Sequence, residues 1–127
     1  EKVITPKTKA ILPVHFTGRL CDMNQIVEIA KKHELYLVED AAQAFGAIEN
    51  GVAAGAFGHV SAFSFNPMKI LPSFGEAGAI LTNDYKLVER LIALRYLGTI
   101  NRSSLLEAIA FRFISLCGTS PCSAAVT

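Results

Sequence analysis

Apolar residues along this chain recur with two periods, and the switches between them mark the elements. Ala10 to His15 (AILPVH) is a short apolar run that reads as a buried strand, although Pro13 removes one backbone donor and argues for an edge or a bulge. Phe16 to Leu20 reads as a Gly-containing turn. Asp22 then opens a helix with Gln25 three residues on, a capping-box arrangement. Met23, Ile26, Val27 and Ala30 fall at i, i+3, i+4 and i+7, one apolar stripe that packs on a sheet. Lys31, Lys32 and His33 close the helix, where its dipole favours positive charge. Leu35 to Val38 (LYLV) is the next strand, so strand, helix and strand predict a βαβ unit with parallel strands and a right-handed crossover.

Further along, Gly46, Asn50, Gly51, Gly55 and Gly58 punctuate residues 45–58 and predict a loop or hairpin. Val60 to Phe65 (VSAFSF) alternates small and large side chains and reads as a strand reaching Ser64. Ala79 to Thr82 is a further strand. Asp84 caps a second helix, whose Leu87, Val88, Leu91, Ile92 and Leu94 predict a broad buried face with Gly98 as a natural stop.

Composition narrows the class. The 127 residues are the length of one domain, 51% hydrophobic and 18% charged, with a formal net charge of +1. No basic stripe or charge run is present, which argues against nucleic acid and anionic membrane as partners. No apolar run approaches the roughly 20 residues of a membrane span. Cys21, Cys117 and Cys122 form no CxxC pair and no cluster with histidine, so neither a disulfide framework nor a metal site is expected. The opening EKVITPKTK carries no signal-peptide pattern, and a reducing, cytoplasmic setting is the default.

Two residues stand out chemically. Lys69 is the only Lys or Arg between Lys32 and Lys86, and its neighbours are mostly apolar or small. A desolvated ammonium tends to lose its proton and become a nucleophile, whereas a lysine on a loop bounded by Pro67 and Pro72 usually points into water. Asp40 stands beside Glu39 at the carboxyl end of the second strand, the edge where ligands bind in open α/β sheets; the other reading is an N-cap for the turn from Ala41 to Ala44. His15 ends the first strand, where strand ends meet ligands, and reads either as a ligand-facing residue or, more in keeping with histidines in general, as one bonded to its neighbours. Ser64, five residues before Lys69, reads as a short donor at a strand end or as a turn-stabilising serine.

The words VEDAAQAFGA, FSFNPMK and GEAGAILTND occur in this order, preceded by ITPKTKAILPVH and DMNQIVEIAKKH. Together they resemble the DegT/DnrJ/EryC1/StrS family of pyridoxal-phosphate-dependent sugar aminotransferases, from about Val3 to about Thr99. The resemblance implies an α/β fold, a fragment of the large domain of the type I aminotransferase fold, with a mostly parallel sheet flanked by helices. It implies a partial cofactor-binding domain over residues 1–99 and a divergent tail over 100–127, in a chain internal to a longer domain. By the same resemblance Lys69 carries pyridoxal 5'-phosphate covalently and then acts as the general base, Asp40 bonds the pyridinium nitrogen, Gln43 contacts the ring and Ser64 helps hold the phosphate.

The implied reaction moves an amino group, usually from glutamate, to a keto group of a nucleotide-linked sugar, in a homodimer. Lysine rather than histidine at position 69 favours transamination over dehydration. Two departures stand beside this: Ala77 where family members commonly have glycine, and Cys117 where they usually have asparagine. The alternatives are a non-catalytic or regulatory relative on the same scaffold and another type I pyridoxal enzyme such as a desulfurase or an aldolase. A dinucleotide-binding domain lacks its GxGxxG and a serine hydrolase its GxSxG.

Overall fold

The computed structural model describes residues 1–95, together with the backbone of three short strands at 99–100, 104–105 and 125–126. In chain order the elements are β1 (Ala10–Ile11), a 3-10 turn (Phe16–Gly18), α1 (Met23–Lys32), β2 (Tyr36–Asp40), β3 (Ile48–Glu49), β4 (Val52–Ala53), β5 (Val60–Ser64), β6 (Gly78–Leu81), α2 (Tyr85–Arg95), β7 (Thr99–Ile100), β8 (Ser104–Leu105) and β9 (Ala125–Val126).

The main sheet has the order β6-β5-β2-β1-β9. Its three central strands β1, β2 and β5 run parallel, and β6 and β9 close it antiparallel at either end. The expected α/β architecture with a mostly parallel sheet is therefore present. β1 is shorter than AILPVH suggested: the ladder stops at Ile11 and resumes as one bridge between Val14 and Asp40. Pro13 has no N–H for the ladder, but its carbonyl still accepts from the Asp40 amide at 2.9 Å.

α1 starts where the Asp22 carboxylate accepts from the Gln25 amide at 3.2 Å. The capping box is only half reciprocal, because the Gln25 side-chain amide turns to the Asp22 carboxylate, at 2.6 Å, instead of to a backbone donor. Met23 and Ala30 pack from α1 against Cys21 and Leu37, with Ile11, Ile26, Val27 and Phe57 around them. Leu35, Leu37 and Glu39 are all buried, so the helix covers the sheet face carrying the odd residues of β2. Tyr36 is exposed and Val38 and Asp40 half-buried on the other face.

Of the loop or hairpin expected over residues 45–58, the structure has a hairpin of β3 and β4, with Glu49 paired to Val52. Asn50 and Gly51 alone link them, both at positive φ, 51° and 80°, which matches a type I′ turn. Two expectations change. The α2 face is less covered than its leucines suggested: only Ala93 is buried, while Ile92 and Leu94 are exposed and no strand of the main sheet packs on the helix among the described residues. Cys21 is disulfide-bonded, against the expectation of no disulfide; Cys117 and Cys122 lie outside the described residues, as does Gly98.

Candidate active site

The parallel strands bring their carboxyl ends to one edge. Asp40 pairs in register with Ala62 of β5 and bridges to Val14 beyond β1. Partners in register point to the same face, and so do residues two apart on one strand, so Asp40, Ala62 and Ser64 share a face. α1 lies on the opposite one. Asp40 also takes its second expected part, because its Oδ1 accepts from the Ala42 amide at 3.1 Å and caps the turn that follows. Among the described residues its Oδ2 takes no hydrogen bond. One oxygen thus fixes the side chain and the other is left for a partner.

Ser64 is half-buried at the end of β5, and its Oγ accepts from the Asn66 amide at 3.4 Å. Among the described residues its hydroxyl proton has no acceptor and can be donated. Lys69 follows on a turn closed by its own amide donating to the Asn66 carbonyl at 2.8 Å. Ser73 ties the far end of that loop to the Phe65 carbonyl through both its amide and its hydroxyl, at 2.8 Å each, and Asn66 donates to Glu76 at 2.8 Å. Lys69 is half-buried, and its amine has no ion pair or hydrogen bond among the described residues. Met68, Ile70, Leu71 and Phe74 are exposed, so the apolar run does not wrap the amine as its sequence suggested.

Gly18 is where the three loops meet. A Cβ there would lie 3.0 Å from the Gln43 carbonyl and 4.0 Å from Ile70 Cδ1, and its φ of +83° suits glycine. The turn after Asp40, the loop after β1 and the lysine loop are therefore neighbours. The Gln43 side chain itself is exposed. Of two surface concavities of about 590 and 620 Å³, the first is lined by Gly18 itself with Arg19, Asp22 and Glu49, and the second by Thr5, Lys9 and Tyr36. Neither includes Asp40, Gln43, Ser64 or Lys69.

Glu39, beside Asp40, is the buried acid of this edge, and no site role was expected of it. Its side chain is 0% exposed and takes four hydrogen bonds: Oε2 from His15 Nε2 at 3.0 Å and the Gly55 amide at 2.8 Å, Oε1 from the amides of Phe57 at 2.8 Å and Gly58 at 2.6 Å. Burial pushes its pKa up, but the bonds from His15 and the amides of Gly55, Gly58 and Phe57 together outweigh burial and hold it below the ordinary carboxylate value. A signal was present: period two places Glu39 on the same face as Leu35 and Leu37, and a carboxylate there must be fully bonded.

An acid with one unbonded oxygen and a hydroxyl donor on one sheet edge, with an adjoining loop that carries an amine free of ion pairs among the described residues, could hold a flat cofactor with a basic ring nitrogen, an anionic group and a carbonyl. No group of three or more metal-ligating side chains occurs among the described residues, and no described helix is long and apolar enough to cross a membrane.

Comparison with known proteins agrees in kind. A dTDP-3-amino-3,4,6-trideoxy-alpha-D-glucose transaminase from Streptomyces venezuelae is 52% identical over 99 residues, 78% of this chain and 26% of that protein. The crystal structure of S. venezuelae DesV in complex with a ketimine intermediate superposes with a TM-score of 0.75 at 50% identity, over 81% of this chain and 28% of DesV. NtdA from Bacillus subtilis, solved with bound cofactor PMP, gives 0.72 at 37% identity, over 88% of this chain and 25% of NtdA. The chain thus spans about a quarter of the length of the relatives it matches. The family profile matches residues 1–113, past the limit of about Thr99 given to the resemblance, and on that match the chain belongs to the DegT/DnrJ/EryC1/StrS aminotransferase family.

Proposed function

We propose that the protein carrying this chain is a pyridoxal-phosphate-dependent aminotransferase that delivers an amino group to a keto group of a nucleotide-linked sugar. The observation that carries the reading is the placement of Asp40 and Ser64 on one face, with the Lys69 loop packed beside the Asp40 turn at Gly18. Transaminase relatives and the PMP-bound NtdA structure support it.

In this reading Lys69, Asp40, Ser64 and Gln43 hold the cofactor, and residues 1–99 are part of its domain. The cofactor supplies an electron sink for a substrate carbon that is losing a proton. Asp40, as an anion with a free oxygen, keeps a ring nitrogen protonated and so sustains that sink. Ser64 donates its hydroxyl proton to an anionic oxygen. Lys69 is first the attachment point and then, as a free amine, the base that moves the proton. Gln43 lies one turn from Asp40 and packs against the ring. Glutamate is the amino donor, and the protein works as a homodimer in the cytoplasm.

The test is to incubate the whole protein carrying this chain with pyridoxal phosphate, glutamate and a panel of nucleotide-linked keto sugars, and to look for the amino sugar by mass. An amino sugar that disappears with Lys69→Ala is expected. Cofactor binding without product from any keto sugar would reject the activity and favour a binding module.

A further inference from the structure

We propose that His15, as the neutral tautomer protonated on Nε2, and Glu39 form a positioning pair that locks the carboxyl end of β2 to the loop after β1 and so fixes Asp40 on the opposite face. The inference rests on the cofactor reading above for its functional meaning, but its geometry does not.

The tautomer follows from the donors. His15 Nδ1 lies 3.3 Å from the Cys21 amide, and a backbone amide can only donate, so Nδ1 carries the lone pair. The ring proton then sits on Nε2 and is given to Glu39 Oε2, 3.0 Å away. A doubly protonated ring would set its Nδ1 proton against the Cys21 N–H. The contact between His15 and Glu39, both 0% exposed, is accordingly a hydrogen bond from a neutral ring to an anion, not an ion pair.

The same histidine also holds the neighbouring residue. Its backbone N–H donates to the Asp40 carbonyl at 3.0 Å, and the Asp40 N–H donates to the Pro13 carbonyl at 2.9 Å. His15 therefore grips Glu39 through its ring and Asp40 through its main chain. The remaining Glu39 acceptor sites go to Gly55, Phe57 and Gly58, which moors the loop before β5 to the same point. A strand held through the Glu39 side chain on one face and through the Asp40 main chain in the plane of the sheet resists rotation about its axis, and that rotation would swing the Asp40 carboxylate off its target. Sites of this kind need their first contacts held to about 0.5 Å by supporting residues.

The test compares the chain with His15→Leu, which removes both ring contacts, and His15→Gln, which restores a donor toward Glu39. Amide hydrogen exchange is read without cofactor. The expected result is a roughly ten-fold or larger acceleration at the Asp40 and Ala42 amides in the leucine variant, the loss of about one charge-assisted hydrogen bond. The glutamine variant should recover most of it, and the amides of Ile29 and Ala30 inside α1 should be unchanged in both. A uniform acceleration, no change at Asp40 and Ala42, or no rescue by glutamine would overturn the proposal. Should the leucine variant fail to fold, imidazole ¹⁵N shifts of the unaltered chain decide: a proton on Nε2 supports the pair, and a proton on Nδ1 overturns it. Failure of the whole protein carrying this chain to bind pyridoxal phosphate, with the exchange pattern as expected, would instead strike the cofactor reading alone.

Discussion

The His15 imidazole and the Glu39 carboxylate meet at 3.0 Å with neither side chain exposed, on the sheet face turned away from Asp40. Two acidic neighbours on one strand therefore take opposite environments. Glu39 goes under α1 and is bonded to saturation, while Asp40 emerges on the other face with one oxygen held and one open. Because the pleat alternates, this division is set by adjacency in sequence, and a shift of one residue in register would exchange the two.

Glu39→Gln is expected to destabilise the chain by about 2–4 kcal/mol, since a buried charge-assisted network loses its acceptor. Whichever way the new amide group turns, its NH₂ meets two donors, His15 and Gly55 on one side or Phe57 and Gly58 on the other. Urea unfolding should show a lower midpoint at unchanged slope. An unchanged midpoint would contradict the assignment of Glu39 as the buried anion.

Acid should expose the same group. The folded-state pKa of Glu39 is lowered from 4.5, so its contribution is in place above 4.5 and is lost as pH falls through the lower folded value. Unfolding free energy measured by urea across the range below 4.5 is expected to fall less steeply for Glu39→Gln than for the unaltered chain. Parallel curves would show that Glu39 does not titrate differently in the two states.

Gly58→Ala and Gly51→Ala should differ in kind. A Cβ at Gly58 would come within 2.8 Å of the Leu37 carbonyl and 3.2 Å of Glu39 Oε1, so the loop must move off the carboxylate, at a cost of about 1–3 kcal/mol. At Gly51 nothing lies within 4 Å and only the φ of +80° resists, for about 1 kcal/mol. Proton chemical shifts of the Phe57 amide should move in the Gly58 variant alone. Equal shifts in both would contradict a tight seat for Glu39.

Much of this was legible in residues 1–95. The α1 stripe and the Asp22 cap each carry a local signal and appear where periodicity and capping place them, and residues 45–58 hold a hairpin within the stretch that its glycines marked as loop or hairpin. The later strands of the main sheet up to β6 moved by only one or two residues at their ends, but β1 stops at Ile11 instead of His15, because pairing partners rather than propensity decide where a ladder stops and Pro13 has no N–H to continue it. Asp40 was legible as a strand-end carboxylate, and the parallel register then put it beside the Ser64 face. Glu39 was not, because a charged residue in a strand reads as solvent-facing unless the alternation of Leu35 and Leu37 is carried through to it. Nor was the exposure of Met68, Ile70, Leu71 and Phe74 legible: an apolar run states that surface is to be buried, and nothing in it states by what.

The central claim is that the Lys69 amine is the attachment point for a carbonyl cofactor held against Asp40. To test it, the whole protein carrying this chain is incubated with pyridoxal phosphate and reduced with borohydride, and the adduct is mapped by mass across the peptides. The account predicts one dominant modified site, Lys69, with the yield falling at least about ten-fold in Asp40→Ala as a charge-assisted contact is lost. An adduct spread evenly over Lys31, Lys32, Lys69 and Lys86, or one as strong after Lys69→Ala, would contradict it.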